Sequence, residues 1–381
     1  MLYEQGGSVV HKLACILFFI SLSFITKANT SVNLSLIERE LDANVPNMLT
    51  INNAPGVVVV LVDNKDIIKY KFYDFSNVEK QQTFNSNTGF NLGSISKLLT
   101  SWGVMRLVDK GLVELDIPVN DYLKRWKIPK SNFDTNKVTI RNILSHTSGL
   151  SLSGYDGWET PMVLPNIVDS LNGKTNGSGK VELITVPDKE FSYSGGGYTV
   201  LQLLIEDVTE QSFEEYMQKS VFTPLEMNSS TFVVSESVLK ASATPYDEEG
   251  KATTMVYFTA QAAAGLQSTP HDIAKFTMAI LKNGNGTYNG SKILHSDLID
   301  EMIKPVNNTG DRWSMSYVND IVNGNRLLGF AGFNHGWIGL TRSIVDKKFG
   351  YVVLTNSNIE AVRNQVDRLI LKTALNIEVS R

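Results

Sequence analysis

Cysteine is almost absent from this 381-residue chain, which contains only Cys15, and histidine occurs five times. A disulfide framework, a thiolate zinc site and an iron–sulfur cluster each need several cysteines, so none of them is expected. The sequence also has no HExxH motif and no two histidines four residues apart, which argues against a zinc site on a helix. We therefore expect no metal and no cofactor.

An excess of positive charge is also missing. Lysine and arginine total 35 against 39 aspartates and glutamates, and the formal net charge is -4. Because a nucleic-acid backbone requires a basic face on its partner, we expect no nucleic-acid partner. No G-x-S-x-G motif occurs either, so the nucleophile turn of an α/β-hydrolase is not supported.

One apolar run occurs near the N-terminus, at residues 13–25. It follows Lys12 and precedes small residues near Ala28, and it is shorter than the roughly 20 residues that cross a membrane. This pattern is typical of a secretory signal, which predicts a signal peptide at 1–28 and an exported, periplasmic or secreted protein. The alternative is an uncleaved anchor, in which case this segment would be the only contact with a membrane.

Strand patterns lie at the two ends of the chain and helical patterns between them. Apolar residues recur at helical spacing over 35–49 and 360–375, and strand-like runs cover 56–62, 67–72, 338–345 and 350–355. The economical arrangement is an α+β fold in which the N- and C-terminal strands form one antiparallel sheet flanked by the terminal helices. Residues 31–93 and 255–381 would form this sheet domain, and 94–254 a mostly helical inserted domain.

Ser94 and Lys97 form an S-x-x-K motif at the start of a strongly apolar helical pattern. Residues three apart share a helix face, so the amine can reach the hydroxyl. A serine becomes nucleophilic when a base takes its proton, and burial together with the positive end of a helix favours the neutral amine that can do so. The same helix start favours an oxyanion beside Ser94.

The motif alone does not decide between a nucleophile and an ordinary capping serine followed by a surface lysine. A second copy, Ser237 and Lys240, is interpreted as chance. Two downstream features favour Ser94. Tyr193 stands before a glycine triplet and a helix, where its phenol can relay a proton, and His335 stands before Gly336 at the start of a late strand. A packing tyrosine and a turn histidine are the structural alternatives.

Taken together, these motifs resemble those of the penicillin-recognising serine hydrolases, in the class C β-lactamase-like branch. That branch includes D-Ala-D-Ala carboxypeptidases, D-aminopeptidases and family VIII-type esterases. Stretches that carry the resemblance further are residues 112–123, 138–150, 221–232 and 264–276.

The resemblance implies a role for each candidate. Ser94 resembles the acylated nucleophile, Lys97 its base and Tyr193 the tyrosine of the Tyr-x-Asn motif. On the substrate and oxyanion side it implies His335, Gly336, a backbone N–H near Ile338, and Gly195, which stands where the family has asparagine. His146, in an HTSGL stretch, looks structural, and His271 and His295 fit surface positions.

The expected function is that of an exported serine hydrolase acting through an acyl-enzyme on an ester or amide, with a small-molecule or peptide substrate. Gly195 removes a substrate-holding amide, and His335 lacks the permanent charge of a lysine. These departures favour a D-amino-acid peptidase, a DD-carboxypeptidase-like enzyme or an esterase. A class C-like β-lactamase and a non-catalytic protein of the penicillin-binding fold are the alternatives.

Overall fold

The computed structural model describes residues 31–159, 163–282, 287–288 and 291–377. The expected signal peptide at 1–28 lies outside these residues. The described residues from Val32 onward belong to one compact unit. None of the helices in the described ranges is long and apolar enough to cross a membrane.

The strands of the described chain form one large antiparallel sheet and two short ladders. In chain order they are β1 (Gly56–Asp63), β2 (Ile67–Asn77), β3 (Gln82–Thr83), β4 (Phe90–Asn91), β5 (Gln267–Ser268), β6 (Thr287–Tyr288), β7 (Ser291–Lys292), β8 (Val318–Val322), β9 (Asn325–Asn334), β10 (Trp337–Ile344) and β11 (Phe349–Thr355). The large sheet has the order β3-β2-β1-β11-β10-β9-β8. The first and last strands therefore lie side by side, which confirms the predicted fold class.

Helices flank this sheet at both chain ends and fill the middle of the sequence. They are α1 (Leu34–Asn52), α2 (Ser96–Asp109), α3 (Val119–Tyr122), α4 (Ile140–Leu144), α5 (Ile167–Leu171), α6 (Gly195–Thr209), α7 (Phe213–Met217), α8 (Glu236–Ala241), α9 (Gln261–Ala264), α10 (Pro270–Leu281), α11 (Ser296–Ile303) and α12 (Glu360–Leu375).

Strand β1 explains how the sheet joins two hydrophobic cores. Its residues from Val57 to Val62 are all fully buried. Because successive side chains point to opposite faces of a sheet, Val57, Val59 and Leu61 enter one core, and Val58, Val60 and Val62 the other. A strand buried on both faces reads as a continuous apolar run, as this one does.

The two faces of the sheet carry different layers. Helices α1 and α12 cover one face, through buried residues such as Leu41, Val45 and Val366. Helix α10 and the helical middle of the chain cover the other face, where the larger core lies. In this second layer, α2, α6 and α9 contact one another, and the turn before α2 contacts β9.

Local sequence signals place several helix starts. Ser212 and Glu215 form a reciprocal capping box before α7. Thr269 caps α10, and Pro270 occupies its first turn, where the missing proline N–H costs nothing. The predicted helix at 360–375 matches α12 at both ends. The sequence did not predict β8 or most of β9, since Asn319 and Asp320 interrupt the apolar pattern of β8, and glycines interrupt that of β9.

Candidate active site

Ser94 lies in a single 3-10 turn, Gly93–Ile95, directly before α2. Gly93 has a φ of 50°, a conformation that favours glycine. A β-carbon at Gly93 would stand 2.5 Å from the carbonyl oxygen of Phe333, so the turn presses its main chain against β9. The absence of a side chain at Gly93 therefore sets how closely Ser94 approaches the sheet.

Lys97 lies one helical turn beyond Ser94, and only 2% of its surface is exposed. Its Nζ donates to Ser94 Oγ at 3.2 Å and to the carbonyl oxygen of Ala263 at 2.7 Å. The carbonyl belongs to α9, so the helical layer holds the amine in place. The lysine is thus a buried partner of the serine, and the structure brings the two together as the motif predicts.

Tyr193 reaches the same hydroxyl from the segment before α6. Its OH donates to Ser94 Oγ at 2.9 Å, and the Lys97 Nζ lies 4.9 Å from its ring centroid. Ser194 caps α6 by accepting from the N–H of Gly197 at 2.8 Å, which fixes the start of the helix. Gly195 is the first residue of α6 and is buried there, with the main chain of Ser153 close by.

His146 is fully buried behind Tyr193, in a conformation with a φ of 59°. Its Nδ1 accepts the N–H of Ser194 at 3.1 Å, so the neutral ring carries its proton on Nε2, an atom with no hydrogen-bond partner among the described residues. Burial and the nearby charge of Lys97 lower the pKa of His146 well below its usual value. His146 therefore packs as a neutral ring against the phenol.

The other histidines lie away from Ser94. His295 is exposed, as expected, and pairs with Asp109. His271 is half-buried, and its Nδ1 lies 2.6 Å from the OH of Tyr70. Neither lines a cavity at Ser94.

His335 and Gly336, predicted from the sequence as site residues, lie at the edge of the site. His335 is exposed in the turn between β9 and β10 and lines a cavity together with Ser94 and Lys97. Gly336 donates its N–H to Oδ1 of Asn358 at 2.7 Å. Ile338 pairs with Phe333 and Thr355 inside the sheet.

Strand β9 supplies residues that the sequence reasoning missed. A β-carbon at Gly332 would stand 2.0 Å from the carbonyl oxygen of Leu92 and 3.1 Å from the N of Ile95, so the main chain of β9 packs directly on the turn that carries Ser94. Two glycines within a strand pattern, Gly329 and Gly332, indicate such a close approach and were the available signal.

Two cavities meet at Ser94. The first, of about 410 Å³, is called here the polar cavity; it is lined by Ser94, Lys97, Ser153, Gly154, Tyr155, Asp156, Glu159, Val256, Phe258, Ala263, Ala264, Phe333, Asn334 and His335. The second, of about 560 Å³, is called the aromatic cavity; it is lined by Ser94, Phe191, Tyr193, Trp313, Val318, Phe330, Ala331, Gly332, Phe333, Ile338, Glu360 and Arg363. No group of three or more His, Cys, Asp or Glu side chains in the described ranges has the arrangement of a metal site.

Comparison with known proteins places this arrangement in a family. Residues 41–375 match the family described as Beta-lactamase. Protein flp of Staphylococcus aureus (strain MRSA252) is 26% identical over 215 residues, which are 56% of this chain and 42% of flp. Penicillin-binding protein 4* of Bacillus subtilis (strain 168) is 30% identical over 175 residues, which are 45% of this chain and 36% of that protein. The chain therefore spans less than half the length of these curated relatives.

Solved structures share the fold. The octameric penicillin-binding protein homologue from Pyrococcus abyssi has a TM-score of 0.74 and 25% identity, covering 89% of this chain and 77% of that one. The beta-lactamase/D-alanine carboxypeptidase from Pseudomonas syringae has a TM-score of 0.72 at 18% identity, covering 88% of this chain and 99% of that one, and it shows the fold alone. Since the family match extends over most of the chain, this protein belongs to the beta-lactamase family, a family of serine hydrolases.

Proposed function

We propose that this chain is a serine hydrolase that forms an acyl-enzyme at Ser94. The observation that carries the proposal is that Ser94 Oγ accepts hydrogen bonds from two proton carriers, Lys97 Nζ at 3.2 Å and Tyr193 OH at 2.9 Å. A nucleophile next to a base, with a third group that orients the base, is the general arrangement of activated serine catalysis. Ser94 also lines both cavities, so a carbonyl can reach it.

In the acylation step, Lys97 reacts in its unprotonated form: its amine takes the Ser94 proton while Oγ bonds to the carbonyl carbon. The Ser94 N–H stands at the start of α2, where backbone N–H groups favour negative charge. A second donor is expected from the β9 main chain at Phe333, which packs against Gly93, with β10 near Ile338 behind it.

The carbonyl re-forms as the bond to the leaving group breaks. Tyr193 OH stands beside Ser94 Oγ and gives a proton to the departing oxygen or nitrogen, recovering one from Lys97. In the second half, water attacks the acyl-enzyme and gives up its proton along the same path, which frees the acid and restores the Ser94 hydroxyl.

The charged side chains that line the two cavities indicate which substrates the site favours. Among the described residues, the lysine and arginine side chains that line the two cavities are Lys97 and Arg363. Lys97 is engaged by Ser94 and Ala263, and Arg363 pairs with Glu360. A β-lactam or a D-Ala-D-Ala peptide carries a carboxylate. Both of these side chains already have partners, so neither is available to pair with that carboxylate. This supports an esterase or a peptidase for uncharged substrates above an efficient β-lactamase.

Labelling with a fluorophosphonate tests the proposal directly. The wild-type protein is expected to gain one adduct at Ser94, found by intact mass and peptide mapping, and Ser94→Ala should gain none. Ser237→Ala is the matched control, because Ser237 heads the other S-x-x-K copy, on α8, where its Lys240 side chain is 79% exposed. Folded wild-type protein that stays unmodified would instead favour the non-catalytic alternative.

A three-substrate panel separates the activities. Nitrocefin, a D-Ala-D-Ala peptide and a short-chain p-nitrophenyl ester report β-lactamase, carboxypeptidase and esterase activity in turn. We expect the highest kcat/KM for the ester. A nitrocefin rate above the ester rate would reverse this ranking.

Export belongs to the same proposal. The N-terminal pattern is that of a secretory signal, so the protein is expected outside the cytoplasm. Fractionation of cells that express the full chain, with N-terminal sequencing of the product, checks both location and cleavage near Ala28.

A further inference from the structure

The aromatic cavity and the polar cavity differ sharply in what they offer a substrate. The aromatic cavity presents the rings of Phe191, Trp313, Phe330 and Phe333 beside Ser94. The polar cavity presents hydroxyl, amide, carboxylate and imidazole groups around Lys97, together with apolar side chains such as Val256 and Phe258, and it shares Phe333 with the aromatic cavity. Ser94 lies at the junction, so the two halves of a substrate divided at its scissile bond must enter different surroundings.

The aromatic wall is built from rings that hold one another. Phe191 stacks on Trp313 with centroids 4.7 Å apart, and Trp313 meets the edge of Phe330 at 5.6 Å. Such pairs prefer fixed offset or edge-to-face geometries, so this wall is preorganised for another flat ring. Phe333 also lines this cavity, and its ring is 58% exposed, so it is accessible to a bound ring.

The position of the proton donor indicates which half of the substrate occupies each cavity. Tyr193 lines the aromatic cavity and not the polar one, whereas Lys97 lines the polar cavity and not the aromatic one. The group that protonates the leaving atom must stand on the leaving side. The leaving group therefore departs along the aromatic wall, and the acyl group rests in the polar cavity.

We propose that the substrates of this site carry an aromatic leaving group, an aryl or arylmethyl alcohol or amine, whose ring binds between Trp313 and Phe333. This inference rests on the proposed function, because it takes Tyr193 as the proton donor of a serine hydrolase. Glu360 and Arg363 also line the aromatic cavity. A hydrophobic pocket of this kind changes selectivity by roughly 10–200-fold per well-packed group.

The kinetic test compares two acetate esters with leaving groups of similar acidity, phenyl acetate and hexafluoroisopropyl acetate, so that binding of the ring is separated from leaving-group chemistry. Wild type is expected to prefer the phenyl ester in kcat/KM. Phe333→Ala and Trp313→Ala should each lower that preference by about tenfold. Phe72→Ala is the control: its ring is 37% exposed on β2 and lines neither cavity, so the preference should be unchanged.

A binding measurement needs no chemistry. In Ser94→Ala protein, 1-naphthol is expected to quench tryptophan fluorescence on binding, and adding Phe333→Ala should weaken its Kd by about tenfold. Hydrolysis that persists with no aryl preference in wild type, or with a preference unchanged in both variants, overturns this inference alone. Retained naphthol binding in a protein that neither hydrolyses esters nor takes up fluorophosphonate overturns the proposed function instead.

Discussion

The imidazole ring of His146 packs against the phenol ring of Tyr193, with the two centroids 4.3 Å apart. The histidine accepts the N–H of Ser194 through Nδ1, and burial together with the charge of Lys97 lowers its pKa well below the usual value. A neutral ring adds no second positive charge beside Lys97. The phenol is therefore held in place by a titratable residue that stays uncharged.

The first prediction concerns stability and pH. Below about pH 6.5 the unfolded chain protonates His146 while the folded protein keeps it neutral, so the free energy of unfolding falls as pH falls. The free energy of unfolding falls by up to about 1.4 kcal/mol per pH unit. Above about pH 6.5 none of this stability is lost, because His146 is neutral in both the folded and the unfolded state. Urea unfolding of wild type between about pH 7.5 and 5.5 measures it.

His146→Asn is the matched variant, because asparagine tolerates a positive φ better than most other non-glycine residues. It should be less stable near neutrality but lose less stability on acidification. His271, whose pKa is also lowered by burial, is present in both proteins and cancels in the comparison. Equal slopes for the two proteins would contradict the buried neutral state of His146.

The second prediction removes one hydroxyl. Tyr193→Phe keeps the ring against His146 but deletes the OH that donates to Ser94 Oγ. Loss of a general acid typically costs 10²–10⁴-fold, so we expect kcat to fall about a hundredfold or more for an alkyl ester. The loss should be smaller for a p-nitrophenyl ester, whose leaving group needs no proton.

Tyr73→Phe serves as the control for that experiment, since its OH donates to Asp42 at 2.8 Å on the other side of the molecule. It should leave kcat unchanged for both esters. An equal loss with good and poor leaving groups in Tyr193→Phe would remove the tyrosine from the leaving-group step.

The third prediction tests Lys97 as a base. Lys97→Arg keeps a positive charge that can still donate to the Ala263 carbonyl, but a guanidinium stays protonated and cannot accept a proton. The rate of fluorophosphonate labelling at Ser94 should fall by about two orders of magnitude or more. Lys275→Arg is the control, because Lys275 is a buried lysine that donates to the Glu226 carbonyl at 2.7 Å and lines neither cavity at Ser94. Unchanged labelling in Lys97→Arg would exclude the lysine as the base.

The fourth prediction separates backbone strain from the fit between Ser94 and β9. Gly93 and Gly111 both have positive φ, 50° and 66°, but only Gly93 has the β9 main chain where a β-carbon would go. Gly111→Ala should cost about 1–2 kcal/mol of stability with activity retained. Gly93→Ala should cost more and lower kcat/KM about a hundredfold, since the nucleophile is displaced. Urea unfolding measures the stability and ester hydrolysis the activity. Equal activity in both variants would show that the close packing of Gly93 on β9 does not determine activity.

Much of the fold was predictable because its signals are local. The run at 56–62 is apolar at every position, which is the pattern of a strand buried on both faces, and the structure places it in β1 between β2 and β11. The helix at 360–375 has its apolar residues on one face, and α12 has the same bounds. The antiparallel pairing of the two chain ends followed from where the strands lie in the sequence.

Part of the candidate site was also predictable from local sequence, and part was not. Ser94 and Lys97 are one turn apart, so their contact follows from helix geometry alone. The contribution of Tyr193 needed a resemblance to other sequences, because 99 residues separate it from Ser94. The packing of His146 behind the phenol had no local signal, and the HTSGL stretch indicated only a structural role.

The sequence by itself determined β1, β2, β10 and β11, the two terminal helices and the serine–lysine pair, because each depends on residues a few positions apart. Only the tertiary structure decided which strand faces Ser94, that His146 lies behind Tyr193, and that Phe191, Trp313 and Phe330 form one wall. Those contacts join segments far apart in the chain, and their geometry is set by how the helical layer packs on the sheet, a property that no single segment contains.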